Sequence, residues 1–307
     1  MNPWLRRAIA WGRVVYYPLA LALVCLIAYQ AARKLNFSHV HYWALGLSYV
    51  AALVWWLALA FGWSALLGSD QRVEQAAVWC KTQVARYLPG GIWAPVARAT
   101  TVHGRVRDKV AAVGAENVIV LCVAIGVGAA WATVHNPFWI PAILIMLLPL
   151  AGSRWLERRT RVTHRGVVNA GLTYTGGYIA YGVSGLLAQV AVSGVHNPTY
   201  PLYVAGASCI AWAIGLVVVI APSGVGVREV VYVWMLGGLY PQAELKGAAV
   251  AARVVTVLAE LTVLAAVWVV ERRRGHAIEV PTSAVAAATL ESQAEMPAVE
   301  PAVGRLS

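Results

Sequence analysis

The chain has 307 residues, of which 60% are hydrophobic and 12% charged, with 14 Trp and 13 Tyr against 3 Phe and a formal net charge of +11. Such a composition belongs to the bilayer and leaves no room for a sizeable soluble domain, because a helical crossing takes about 20 apolar residues and this length holds roughly eight. The basic surplus does not point to nucleic acid, since Lys and Arg stand in blocks between apolar runs.

The expected fold is all-α, a polytopic membrane helix bundle of about eight transmembrane helices with one or two broken or re-entrant elements. The spans read Val14 to Ala32, Tyr42 to Leu67, Glu116 to Val134 and Pro137 to Leu150. They continue as Val167 to Val192, Leu202 to Ile220, Gly226 to Tyr240 and Gly247 to Val270. The fourth and seventh are short, which suggests tilted, broken or partly re-entrant elements. The first follows a basic start but is too long for a secretory signal and is read as uncleaved.

The positive-inside rule orients the set. With the N-terminus inside, the cytoplasmic segments collect Arg6, Arg7 and Arg13, the series Arg72 to Lys109, the run Arg154 to Arg165, and Arg272, Arg273, Arg274 and Arg305. Only Arg33, Lys34 and Lys246 fall outside, while Arg228 and Arg253 lie at or in the membrane. The expectation is a multi-pass protein of the plasma or inner cell membrane with both termini cytoplasmic. Residues 1–274 form the membrane domain; 275–307 lack aromatic residues and read as a disordered cytoplasmic tail.

Cysteines Cys25, Cys80, Cys122 and Cys209 show neither a CxxC pair nor a His cluster, so no zinc site or disulfide framework is expected. "VHNP" occurs twice, with His135 and His196, and reads as an Asn-Pro turn starter before it reads as a metal or pH-sensing pair. No Ser-His-Asp set, no Asp-x-x-Asp and no His-Glu-x-x-His is present, so no catalytic residue, metal or cofactor is assigned.

Two stretches break the apolar pattern. "RYLPGGIWAPVAR", Arg86 to Arg98, follows the second span, and its Pro and Gly residues interrupt any helix, so it reads as a re-entrant or interfacial hairpin. "PSGVGVREV", Pro222 to Val230, follows the sixth. There, Gly224 and Gly226 permit positive φ, the helix that restarts offers free N–H groups to an anion, and Arg228 adds a forked contact to phosphate or carboxylate. The bland alternative is a turn with Arg228 snorkelling and Glu229 capping the helix. The equivalent places of the two breaks suggest a four-plus-four parallel repeat with a binding site between the halves.

In the last span, Arg253 and Glu260 stand seven residues apart, about 10 Å of rise on one face. Charges at that depth mark a wet cavity, a substrate path or structural ion pairs. Glu229 with Arg253, Arg228 with Glu260 and Glu116 with Arg98 are the pairings the sequence suggests.

In order and spacing these stretches resemble the transmembrane domain of lysylphosphatidylglycerol synthase and its stand-alone, flippase-like relatives. Arg86, Tyr87, Leu88, Pro89, Gly90, Trp93 and Arg98 match the first motif, and Pro222, Gly224, Gly226, Arg228 and Glu229 the second. Arg253 and Glu116 match further charged positions, whereas Gly91 and Ser223 depart from the usual basic residue and second Gly. The resemblance implies movement of an amphiphilic lipid between leaflets, in a member without the cytoplasmic aminoacyl-transfer domain. Headgroup contacts would come from the two motifs and Arg253, with Glu116 and Glu260 balancing charge. The alternative is an embedded accessory or enzyme subunit of lipid or glycan assembly, hopanoid or polyprenyl-linked. Implied partners are a membrane lipid and such biosynthetic enzymes.

Overall fold

The computed structural model describes residues 40–68, 70–87, 93–102, 105–194, 200–218, 224 and 226–274. The expected first span, the tail, Pro89, Gly90, Pro222 and His196 lie outside the described residues.

The described chain is helical, with no strand. Helix α1 (Tyr42–Leu67) ends at Gly68, whose φ of 61° lets its N–H reach Ala65 O. α2 (Arg72–Gln83) runs on into a 3-10 turn (Val84–Tyr87) and is followed by the short α3 (Trp93–Ala99). α4 (Val106–Ala132) leads into a broken run, a 3-10 turn (Pro137–Trp139), α5 (Ile140–Ile143), a second 3-10 turn (Leu144–Leu147) and α6 (Leu148–Glu157). Pro137, Pro141 and Pro149 explain the breaks, since each removes a backbone donor. α7 (His164–Ser193) starts where Thr163 Oγ1 accepts from Gly166 N–H at 3.0 Å. α8 (Pro201–Val217), α9 (Val227–Leu236) and α10 (Gln242–Arg274) complete the order.

Four of these stretches are long and apolar enough to cross a membrane: α1, α4, the run Pro137–Glu157 and α10. The span beginning at Glu116 is in fact the latter part of a helix that starts ten residues earlier, at Val106. α7 is long enough too, but its Gly, Thr, Tyr and Ser content lowers its hydropathy. Its small and polar residues Gly177, Gly182, Ser184, Gly185 and Gln189 lie on the face packed against α1, α4, α8 and α10, while Leu172, Ile179 and Val183 face outward.

α1 and α7 run antiparallel and make the most extensive helix pair. Ser48 and Ser184 exchange hydrogen bonds, each hydroxyl donating to the other residue's carbonyl at 2.8 and 2.9 Å. Close approach is also what Gly62 permits, since a Cβ there would lie 2.1 Å from the Tyr174 ring. Packing and interhelical hydrogen bonds hold helices together where no water is expelled.

One end of the bundle gathers His41, whose N–H donates to Ala191 O, together with the apolar cluster of Ala132, Val204, Leu236 and Leu245. The opposite end holds Leu66 against Gly166, and Asp108 beside Arg161. Arg105, Arg107, Lys109, Arg158, Arg159, Arg161 and Arg165 all flank the helix termini of that opposite, basic end. Two helical hairpins enter from these opposite ends. α2 and α3 rise from the basic end; α8 and α9 descend from the other. With ten residues, about 15 Å, α9 is about half as long as a hydrocarbon core is thick.

Candidate functional site

Residues of both hairpins border a cavity of about 380 Å³, lined among others by Arg86 and Arg98 from the first and by Gly215, Gly224 and Arg228 from the second. Trp55, Trp79 and Trp212 supply aromatic walls, and Glu116 of α4 a carboxylate. Both sequence stretches therefore border one space, although more than 120 residues separate them.

Arg98, buried on α3, forms an ion pair with the buried Glu116. The second carboxylate oxygen of Glu116 accepts from Trp79 Nε1 at 2.6 Å, and Arg98 Nε donates to Thr82 Oγ1 at 3.4 Å. The guanidinium also lies 5.4 and 5.2 Å from the ring centres of Trp63 and Trp79. Arg86 pairs with Glu260 of α10 and lies 4.8 Å over Trp56, whose Nε1 donates to Thr256 O at 3.2 Å. The pairing of Glu260 with Arg228 is thus not the one that forms. Arg86, in the 3-10 turn that ends α2, takes that carboxylate instead, and α2 packs against α10.

At the second tip Gly224 and Gly226 have φ of 67° and 85°, conformations that a side chain would strain. Glu229 Oε2 accepts from Gly226 N–H at 2.8 Å and so caps the head of α9. Arg228 lies with its guanidinium carbon 5.2 Å over Trp212, in room that two glycines leave. A Cβ on Gly215 would come within 2.4 Å of Arg228 Cγ, and one on Gly224 within 2.7 Å of Gly215 O. Arg228 Nε is buried without a hydrogen-bond partner.

Arg228 also borders a gap of about 40 Å³ shared with Glu229, Arg253 and Tyr181, little more than room for a water or two. Glu229 in turn borders an open groove of about 480 Å³ between α9 and α10, with Trp234 and Lys246. Arg253 therefore stands on the far side of Arg228 from the main cavity. Trp93, at the head of α3, is 39% exposed and does not line it.

Sequence reasoning missed Trp56, Trp79, Thr82, Trp212 and Gly215. Trp56 and Trp212 carried a signal, since both fall in apolar segments next to the charged motifs; Gly215 carried none. His135 lies against Tyr200 and Tyr203, with ring centres 4.7 and 4.6 Å away. Among the described residues no group of three His, Cys, Asp or Glu is placed to hold a metal ion.

Fold and cavity define a helical protein of multi-pass membrane type with charges buried among its helices. No family model matches the chain, and no curated protein matches it.

Proposed function

We propose that this protein binds an amphiphilic lipid, phospho- or polyprenyl-linked, in the cavity between its hairpin tips and moves it between the leaflets of a cell membrane. The observation that carries this reading is the convergence of residues from two helical hairpins, Arg86 and Arg98 from the first and Gly224 and Arg228 from the second, on one charged, tryptophan-walled cavity. Irregular backbone and ionised side chains at bilayer depth are tolerated where they line a wet cavity or path, and a headgroup must cross just such a space. Of the residues that carry the resemblance to flippase-like proteins, Arg86, Arg98, Glu116, Gly224 and Arg228 border this cavity.

In this reading the chain makes six full crossings and two re-entrant hairpins, rather than eight crossings. Counting α8 and α9 as one hairpin removes two crossings and leaves both termini on the same side, the basic and cytoplasmic one. The hairpins are then related by inversion and not by the parallel repeat that four-plus-four counting suggests. Arg86, Arg98 and Arg228 face the headgroup, and the gap at Arg228, Glu229 and Arg253 leads toward the groove at Lys246.

The two ion pairs favour a second reading, in which the charges only fix helix packing and the protein serves as an accessory subunit of lipid or glycan assembly. Reconstitution into phosphatidylcholine vesicles with fluorescent lipids decides. Loss of dye from the inner leaflet under an impermeant quencher, abolished in Arg228→Gln, supports movement. Equal rates for wild type, Arg228→Gln and empty vesicles remove it.

A further inference from the structure

We infer that the cavity selects a headgroup that carries phosphate and no ammonium group; this rests on the reading of the cavity as a lipid headgroup site. The argument is one of charge. Both oxygens of Glu116 are engaged, one by Arg98 and one by Trp79. Glu260 is engaged by Arg86, and Glu229 by the backbone at the head of α9. A cationic headgroup would enter a space bordered by three arginines and find each carboxylate already held.

Arg228 is in the opposite condition. Among the described residues no carboxylate lies within ion-pair distance of it, and its Nε is buried with no acceptor. Its guanidinium carbon lies 5.2 Å from the ring centre of Trp212, a cation–π contact. A guanidinium whose Nε is buried, with no carboxylate of the described residues in ion-pair distance, gains most from an anion, and its planar fork fits two oxygens of one phosphate. Gly215 and Gly224 fix the side chain in place, so little ordering is left for the ligand to impose. A volume of about 380 Å³ is the size of a headgroup site, with the acyl or prenyl chains left in the surrounding bilayer.

The test uses the full chain, purified and reconstituted, with three probes: phosphatidylglycerol, a polyprenyl monophosphate and lysyl-phosphatidylglycerol. Binding is read by native mass spectrometry and movement by leaflet accessibility. At least one of the first two is expected to bind about tenfold or more tightly than the lysyl lipid, the scale of one desolvated charge contact. The one that binds identifies the phosphate source. Arg228→Gln is expected to erase the preference and Arg228→Lys to keep most of it. Lysyl-phosphatidylglycerol bound as tightly as the anionic lipids overturns the inference, as does a preference unchanged in Arg228→Gln. Should the Gln variant not fold, the wild-type ranking and the Lys variant still decide. Selective binding without movement upholds the headgroup inference and removes translocation; equal movement of all three lipids does the reverse.

Discussion

Arg98 and Glu116 meet in an ion pair at 3% exposure each, joining the inner arm of the first hairpin to α4. Each charge is there only because the other is. Removing one partner leaves a buried, uncompensated ion, so Glu116→Ala and Arg98→Ala are each expected to cost about 3 to 5 kcal/mol. The double replacement Arg98→Met with Glu116→Leu should recover much of that. Thermal unfolding of the four proteins in one detergent measures it; additive losses would mean the two residues do not act as a pair.

Glu260 holds the first hairpin through Arg86, and Cys80 lies buried on the same hairpin. Releasing the hairpin should open that thiol. Cys80 is expected to resist maleimide in the wild type and to react several-fold faster in Glu260→Ala, as read by peptide mass mapping. No change in reactivity would show that the ion pair does not anchor α2.

Gly215 leaves the space that Arg228 fills. Gly215→Ala would set a Cβ within 2.4 Å of Arg228 Cγ, so the arginine must shift and the fold should lose about 1 to 3 kcal/mol. Lipid movement should fall with it. Gly176→Ala is the contrast: nothing lies within 4 Å of a Cβ there, and alanine in a helix is expected to stabilise by about 0.5 to 1 kcal/mol. Melting temperatures that move in the same direction for both would contradict the packing described.

The proposed orientation, with the basic end cytoplasmic, can be tested by labelling. In intact cells Lys246→Cys should label with an impermeant maleimide, whereas Arg158→Cys should label only after permeabilisation. The reverse pattern would invert the protein in the membrane.

Composition alone was enough for the helical membrane class, because an apolar chain without strand alternation can satisfy its backbone in lipid only as helices. Local chemistry also set several boundaries. The span expected at Tyr42 to Leu67 is the helix found, closed by Gly68, and the prolines from Pro137 onward break their run as their missing donors require. The glycines of the second motif take positive φ as their lack of a side chain allows.

The sequence suggested Arg98 with Glu116, and those two pair; what no local pattern contained was the partner of Arg86 or of Glu260. Arg86 and Glu260 are 174 residues apart, and nothing near either one says that α2 will pack on α10. The same holds for the depth of α9. Its apolar residues suit a crossing, yet its ten-residue length and its place against α8 make it half of a hairpin. Gly215 looked like any small residue in an apolar helix until the fold brought Arg228 across it. Helix class is determined by residues near in sequence, through hydropathy and backbone hydrogen bonding. A buried ion pair or a cavity is determined by residues near only in space, and here the tertiary packing of the two hairpins decided that Arg86 pairs with Glu260 and that Arg228 lies over Trp212.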